Sequence, residues 1–266
     1  ISTGAVYNGL FYFVATEGTN GRELWVTDGT SGGTQLVKDI NTGSSSSAPY
    51  GFLQMNGKLI FVADNNTYGR ELWVTDGSSN GTQLLKDVKS GTSGSYPAYF
   101  TPNSSYCFFF ANYGAELWKT DGTTAGTTLI GTICSNGCNS YIPMPLIWNG
   151  QLYFISDHDL YSSDGTSLTM VSGMNLCTPF QAYPTALAKT TQGLLVALDD
   201  QSNGNEIWKY NGTTGTLLGN INPNAQSSFV YDFHPFGNIA LFAAYNSFTG
   251  RELYKMDNVT ITGVEE

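Results

Sequence analysis

Apolar residues in this chain come in strand-length runs, and each run is closed by a cluster of Gly, Asn, Asp, Ser or Thr. Residues 58–64, KLIFVAD, are almost continuously apolar, as suits a strand covered on both faces. Around it the chain reads GFLQMNG, KLIFVAD, RELWVTD and TQLLKDV, separated by turns rich in Gly, Asn and Ser. That pattern predicts four short strands joined by hairpins.

The same unit returns along the whole chain. Its marker is the phrase Glu23-Leu24-Trp25, repeated as Glu71-Leu72-Trp73 and Glu116-Leu117-Trp118, with weaker copies at Asp159-Leu160-Tyr161, Glu206-Ile207-Trp208 and Glu252-Leu253-Tyr254. Successive copies start 43 to 48 residues apart, and a period in the forties signals a propeller or a solenoid. Six such units use all 266 residues. The expectation is an all-β chain with almost no helix, a single domain over residues 1–266. It is a six-bladed β-propeller of four-stranded antiparallel blades, each phrase opening a third strand and its Trp or Tyr packing between blades.

Five of the six phrases are followed by a turn of one kind: Asp28-Gly29-Thr30, Asp76-Gly77-Ser78, Asp121-Gly122-Thr123, Asp164-Gly165-Thr166 and, in the fifth unit, Asn211-Gly212-Thr213. Asp caps such a turn and Gly takes its positive φ. One carboxylate per unit lacks the dense acidic spacing of a calcium loop, so no metal is expected. Lys38-Asp39 and Lys86-Asp87 end the fourth strands of the first two units and are lost later, so the repeat does not require them.

The stretches ELWVTDGTSGGTQLVKDI, ELWVTDGSSNGTQLLKDV and ELWKTDGTTAGTTLIGTI resemble the ELWxTDGTxxGTxLVKDI signature of tandem-repeat proteins that are secreted or cell-surface. The resemblance covers all six units and is strongest in the first three. It implies a propeller-like extracellular module; it brings no shared catalytic activity and names no substrate.

Composition narrows the partners. A net charge of −10, with three Arg and eight Lys, argues against a phosphate-tracking surface and so against nucleic acid. No run approaches the roughly 20 apolar residues of a membrane span, so no membrane insertion is expected. The chain begins at Ile1 without Met, which fits a processed chain or a fragment. Cys134 and Cys138 lie in the loop-like ICSNGCNS and are spaced to close a small disulfide ring, with Cys177 a competitor for Cys138 and Cys107 a buried thiol. A disulfide implies an oxidising, extracellular setting.

Candidate chemistry is sparse. His158, flanked by Asp157 and Asp159, and His234 are the two histidines, and no nucleophile motif accompanies them. All three arginines, Arg22, Arg70 and Arg251, occupy one repeat position just before a Glu-Leu pair. They are candidate ligands for a carboxylate or sulfate of an acidic sugar, the alternative being pairing with acids of their own or the next blade. A sialidase-type glycoside hydrolase is the third reading, weakened because these arginines start third strands, away from the axis. Five sequons, Asn65, Asn80, Asn103, Asn211 and Asn258, predict covalent N-linked glycans. All but Asn65 fall at first-to-second or third-to-fourth turns, hence on one face.

The sequence therefore predicts a secreted, N-glycosylated, non-catalytic building block of an extracellular assembly, without cofactors, that self-associates through the uncovered last outer strand, residues 259–264. The alternative is a lectin-like propeller whose carbohydrate ligand sits on the unglycosylated face.

Overall fold

The computed structural model describes residues 4–134, 142, 145–156, 159–171, 187–190, 193–199, 202–223, 226–236, 239–257 and 260–263. Cys138, Cys177, His158 and Asn258 lie outside them. The strands form two compact units, Ile1–Asn139 and Ser140–Glu266.

In the first unit, β1 (Gly4–Tyr7), β2 (Leu10–Glu17), β3 (Gly21–Thr27) and β4 (Gln35–Lys38) form one sheet. β5 (Tyr50–Met55), β6 (Lys58–Asn65), β7 (Gly69–Thr75) and β8 (Gln83–Lys86) form the next. β9 (Ala98–Asn103), β10 (Tyr106–Ala111), β11 (Glu116–Thr120) and β12 (Thr128–Thr132) form the third. The second unit holds three more sheets. They are β13 (Leu146–Trp148), β14 (Gln151–Ser156), β15 (Asp159–Ser163) and β16 (Leu168–Met170), then β17 (Leu187–Thr190), β18 (Gly193–Asp199), β19 (Asn205–Tyr210) and β20 (Gly215–Gly219). The last is β21 (Tyr231–Phe236), β22 (Ile239–Asn246), β23 (Gly250–Asp257) and β24 (Thr260–Gly263). All six are antiparallel meanders in chain order, the described residues contain no helix, and every ELW-type phrase lies at or near the start of a third strand.

Alternation along the second strands explains the packing. Leu59, Phe61 and Ala63 of β6 meet Tyr12, Leu24 and Val26 of the first sheet, whereas Ile60 and Val62 meet Phe109 and Ala111 of the third. Both faces of β6 are thus dry, which is why its sequence is apolar at successive positions; each such side chain contributes about 1.5–3 kcal/mol of burial. Trp73 packs towards the first sheet and Trp118 between the second and third. In the second unit Trp208 plays that part between the fourth and fifth.

The turn after each of the first three phrases is a closed hydrogen-bond network. Asp28 Oδ1 accepts from the Thr30 amide (2.9 Å) and hydroxyl (2.7 Å), Thr30 Oγ1 accepts from Gly33 N (3.0 Å), and Thr34 Oγ1 donates to Thr30 O (2.7 Å). A Cβ on Gly33, Gly81 or Gly126 would lie 2.0–2.1 Å from an atom of the Asp28, Asp76 or Asp121 carboxylate, so the second Gly of the signature exists to make room for that acid. Asn211 accepts from Thr213 and Thr214 in the same way.

These bonds have a pH signature. Hydrogen bonds from Thr30, Ser78 and Thr123 hold Asp28, Asp76 and Asp121 below the usual carboxylate range, and the Ser167 and Thr166 amides do so for Asp164. Their stabilisation is complete above the unfolded value of about 4 and is lost as pH falls through the lower folded values. Burial shifts Glu23 and Glu71 the other way: their contribution is complete below the unfolded value and is lost as pH rises through the raised folded ones. Melting temperature should therefore peak at mildly acidic pH. Asp121→Asn, which preserves the turn as Asn211 does, should flatten the acid limb in melts from pH 5 to 2.

Candidate functional site

The glutamate of the phrase positions the site. Cross-strand register pairs Arg70 with Asp64 on β6, and because side chains alternate along β7, Glu71 points to the other face. There it is fully buried, and its carboxylate accepts from Val88 N (3.1 Å), Lys89 N (3.2 Å) and Ser95 Oγ (2.6 Å). The link that leaves β8 is thereby fastened to β7. Ser95 N and Tyr96 N then donate to Arg70 O at 3.0 and 3.2 Å, which brings Tyr96 beside the Arg70 side chain.

The resulting cluster is aromatic and charged. The guanidinium carbon of Arg70 lies 5.7 Å from the centre of the Tyr50 ring and 5.6 Å from that of Tyr96, a geometry in which ring faces attract a cation. Arg70 Nη2 is 3.4 Å from Asp64 Oδ2, with both side chains about one-third exposed, and Arg70 Nε is buried without a hydrogen-bond partner. Tyr50 donates to Pro97 O (3.1 Å), and burial pushes its phenol up to about 12. Tyr113 stacks on Tyr96 at 4.8 Å, and its hydrogen bond with Tyr96 raises its phenol above the ordinary range. Tyr113 itself is 56% exposed.

Arg22, of the same unit, does not join this cluster. In the first sheet Glu23 makes the equivalent clamp, accepting from Ile40 N (3.0 Å), Ser47 N (2.8 Å) and the Ser47 hydroxyl. The residue it delivers to Arg22 O is Ala48, so Arg22 is exposed and lacks the aromatic partner that Tyr96 gives Arg70. Arg251 is an exposed residue of the second unit. Arg70 pairs with an acid of its own sheet, as the pairing alternative has it, but the acid is Asp64 and not the adjacent Glu71. His234 is exposed on β21. Sequence reasoning missed both the clamp and the tyrosines, although a Ser lying 24 residues after Glu23 and again after Glu71 was a readable signal.

Among the sequons, Asn80 is exposed in the β7–β8 turn and Asn211 in the β19–β20 turn. Asn103 donates to Tyr106 Oη (3.0 Å), and half-buried Asn65 donates through Nδ2 to Ile40 O (2.6 Å). Asn246 makes the same bond to Ile221 O, so this is a structural role of the repeat. Peptide mapping of the native protein should find glycan occupancy highest at Asn80 and lowest at Asn65. Cys107 is free and buried, with its thiol pushed up to about 12 by burial, whereas Cys134 is disulfide-bonded.

No protein-family profile matches the chain, and no curated protein sequence matches it. Solved structures similar to it include puromycin hydrolase, at 13% identity over 98% of this chain and 44% of that chain with a TM-score of 0.48. Others are BamB from Moraxella catarrhalis (14%, 98% and 75%, TM-score 0.48) and a chain of the mitotic checkpoint complex (13%, 100% and 78%, TM-score 0.49). The chain spans less than half the length of the puromycin hydrolase chains. The expectation of a non-catalytic protein is corrected to this extent: a hydrolase is among the proteins whose fold it resembles. At such identity the likeness concerns the fold alone and gives no residue of this chain a role.

Proposed function

We propose that the six sheets close into one β-propeller, secreted and N-glycosylated, that serves as a building block of an extracellular assembly. The observation that carries this reading is the outer edge of the sheets. β12, β16, β20 and β24 are edge strands without a single charged side chain, and Leu129 of β12 and Met170 of β16 are 48% and 55% exposed. Uncharged edges of this kind pair with other chains unless they are blunted, and contact between unlike edges builds arrays or filaments. The sequons at third-to-fourth turns keep glycans at the strand ends and leave the edges open. The disulfide-bonded Cys134 and the repeat signature support the extracellular setting.

Electron microscopy of the protein isolated from its source tests this. Six-lobed rings joined edge to edge are expected; dispersed single particles would sink the assembly reading, and two separate lobes the ring.

A further inference from the structure

We propose that Tyr113, Tyr96, Arg70 and Asp64 form a subsite for one pyranose ring of a neutral saccharide. This goes beyond the assembly reading and stands on the geometry of the first unit alone.

The first support is a misfit. The β10–β11 turn is closed by Gly114 N donating to Ala111 O at 3.1 Å, with Asn112 and Tyr113 as its central residues at φ 52° and 60°. A turn with both central φ values positive takes Gly at its second central position, because a side chain there is strained. Tyr113 occupies that place with its ring largely in solvent. Positive φ at Tyr96 has a plain cause, since Ala48 and Phe229 share it at the corresponding positions of the repeat. Among the described residues no such repeat explains Tyr113. Strain held at an exposed aromatic points to a use for the ring.

The second support is the chemistry under the ring. The Tyr96–Tyr113 stack offers a flat apolar platform of the kind on which the C–H face of a sugar packs. Beside it, Arg70 supplies fixed N–H donors and Asp64 supplies acceptor oxygens. A donor and an acceptor a few ångströms apart match two neighbouring hydroxyls of one ring. The pair is neutral as a whole, so it gives no net attraction to a sugar carboxylate or sulfate, and Asp64 repels one. At Arg70 the proposal therefore favours a neutral sugar over an acidic one.

Titration calorimetry of the full-length glycosylated protein tests this with maltohexaose, cellohexaose, mannohexaose, chitohexaose and hexagalacturonate. At least one neutral hexamer should bind. Tyr113→Gly should weaken that binding about tenfold while its melting temperature holds or rises, since Gly suits the turn. Tyr113→Phe should keep the affinity within about threefold. Three results overturn the proposal: binding of no neutral hexamer, tighter binding of hexagalacturonate than of every neutral one, or unchanged affinity in a folded Tyr113→Gly protein.

Discussion

Replacing Glu71 with Ala is expected to destabilise the protein by about 3–5 kcal/mol. The carboxylate is fully buried, is paired with no cation, and takes the amides of Val88 and Lys89 and the hydroxyl of Ser95. Truncation leaves two partly buried amides and the buried Ser95 hydroxyl without this acceptor, and a group left unsatisfied out of water costs about 1–3 kcal/mol. Against a total stability of about 5–15 kcal/mol, that is a large fraction. Glu71→Gln retains one acceptor oxygen and should lose about half as much. Glu116, at the same place in the third sheet, bonds instead to Trp118 Nε1 at 2.8 Å and is half-buried; Glu116→Ala should cost about 1 kcal/mol. Urea denaturation with an unchanged m-value reads all three. Equal losses at positions 71 and 116 would contradict the clamp.

Gly69→Ala is expected to cost about 3 kcal/mol or more. Gly69 has φ +68°, and a Cβ there would lie 2.4 Å from Gly94 N and 2.6 Å from Thr92 O, all backbone that the link cannot withdraw. Gly21 meets Ser45 O at 2.4 Å in the same manner, which shows why Gly precedes the Arg of the phrase. Gly250 supplies the control: its φ is +88° but nothing lies within 4 Å of a Cβ. Gly250→Ala should therefore carry only the dihedral strain, about 1–2 kcal/mol. Thermal melts of the two variants should differ clearly, and indistinguishable melts would show that the link yields at Gly94.

Period and alternation made the strands readable. The ELW phrase places the third strand because a Trp that packs between sheets must recur once per sheet, and Asp-Gly-Thr marks its turn because the chemistry is local. The role of Glu71 was hidden by its neighbour: adjacent Arg and Glu suggest an ion pair, yet the period of two puts them on opposite faces. The tyrosines were hidden for another reason. Tyr50, Tyr96 and Tyr113 come from a first strand, a link and a hairpin turn, so no spacing in the sequence brings them together. The positive φ of Tyr113 belongs to a four-residue turn, residues 112–115, where the turn between β6 and β7 has three, a difference that composition does not report. What the alternation could not supply was the side-by-side placement of sheets that turns a repeated Arg into a site at one position only.

Sedimentation of the native protein over a range of concentrations tests the building-block account most directly. The predicted result is a weight-average mass that climbs above that of one chain as concentration rises, and that stays at one chain when Leu129→Lys and Met170→Lys charge the exposed outer strands. A single-chain mass at every concentration, in the native protein and the variant alike, would contradict it.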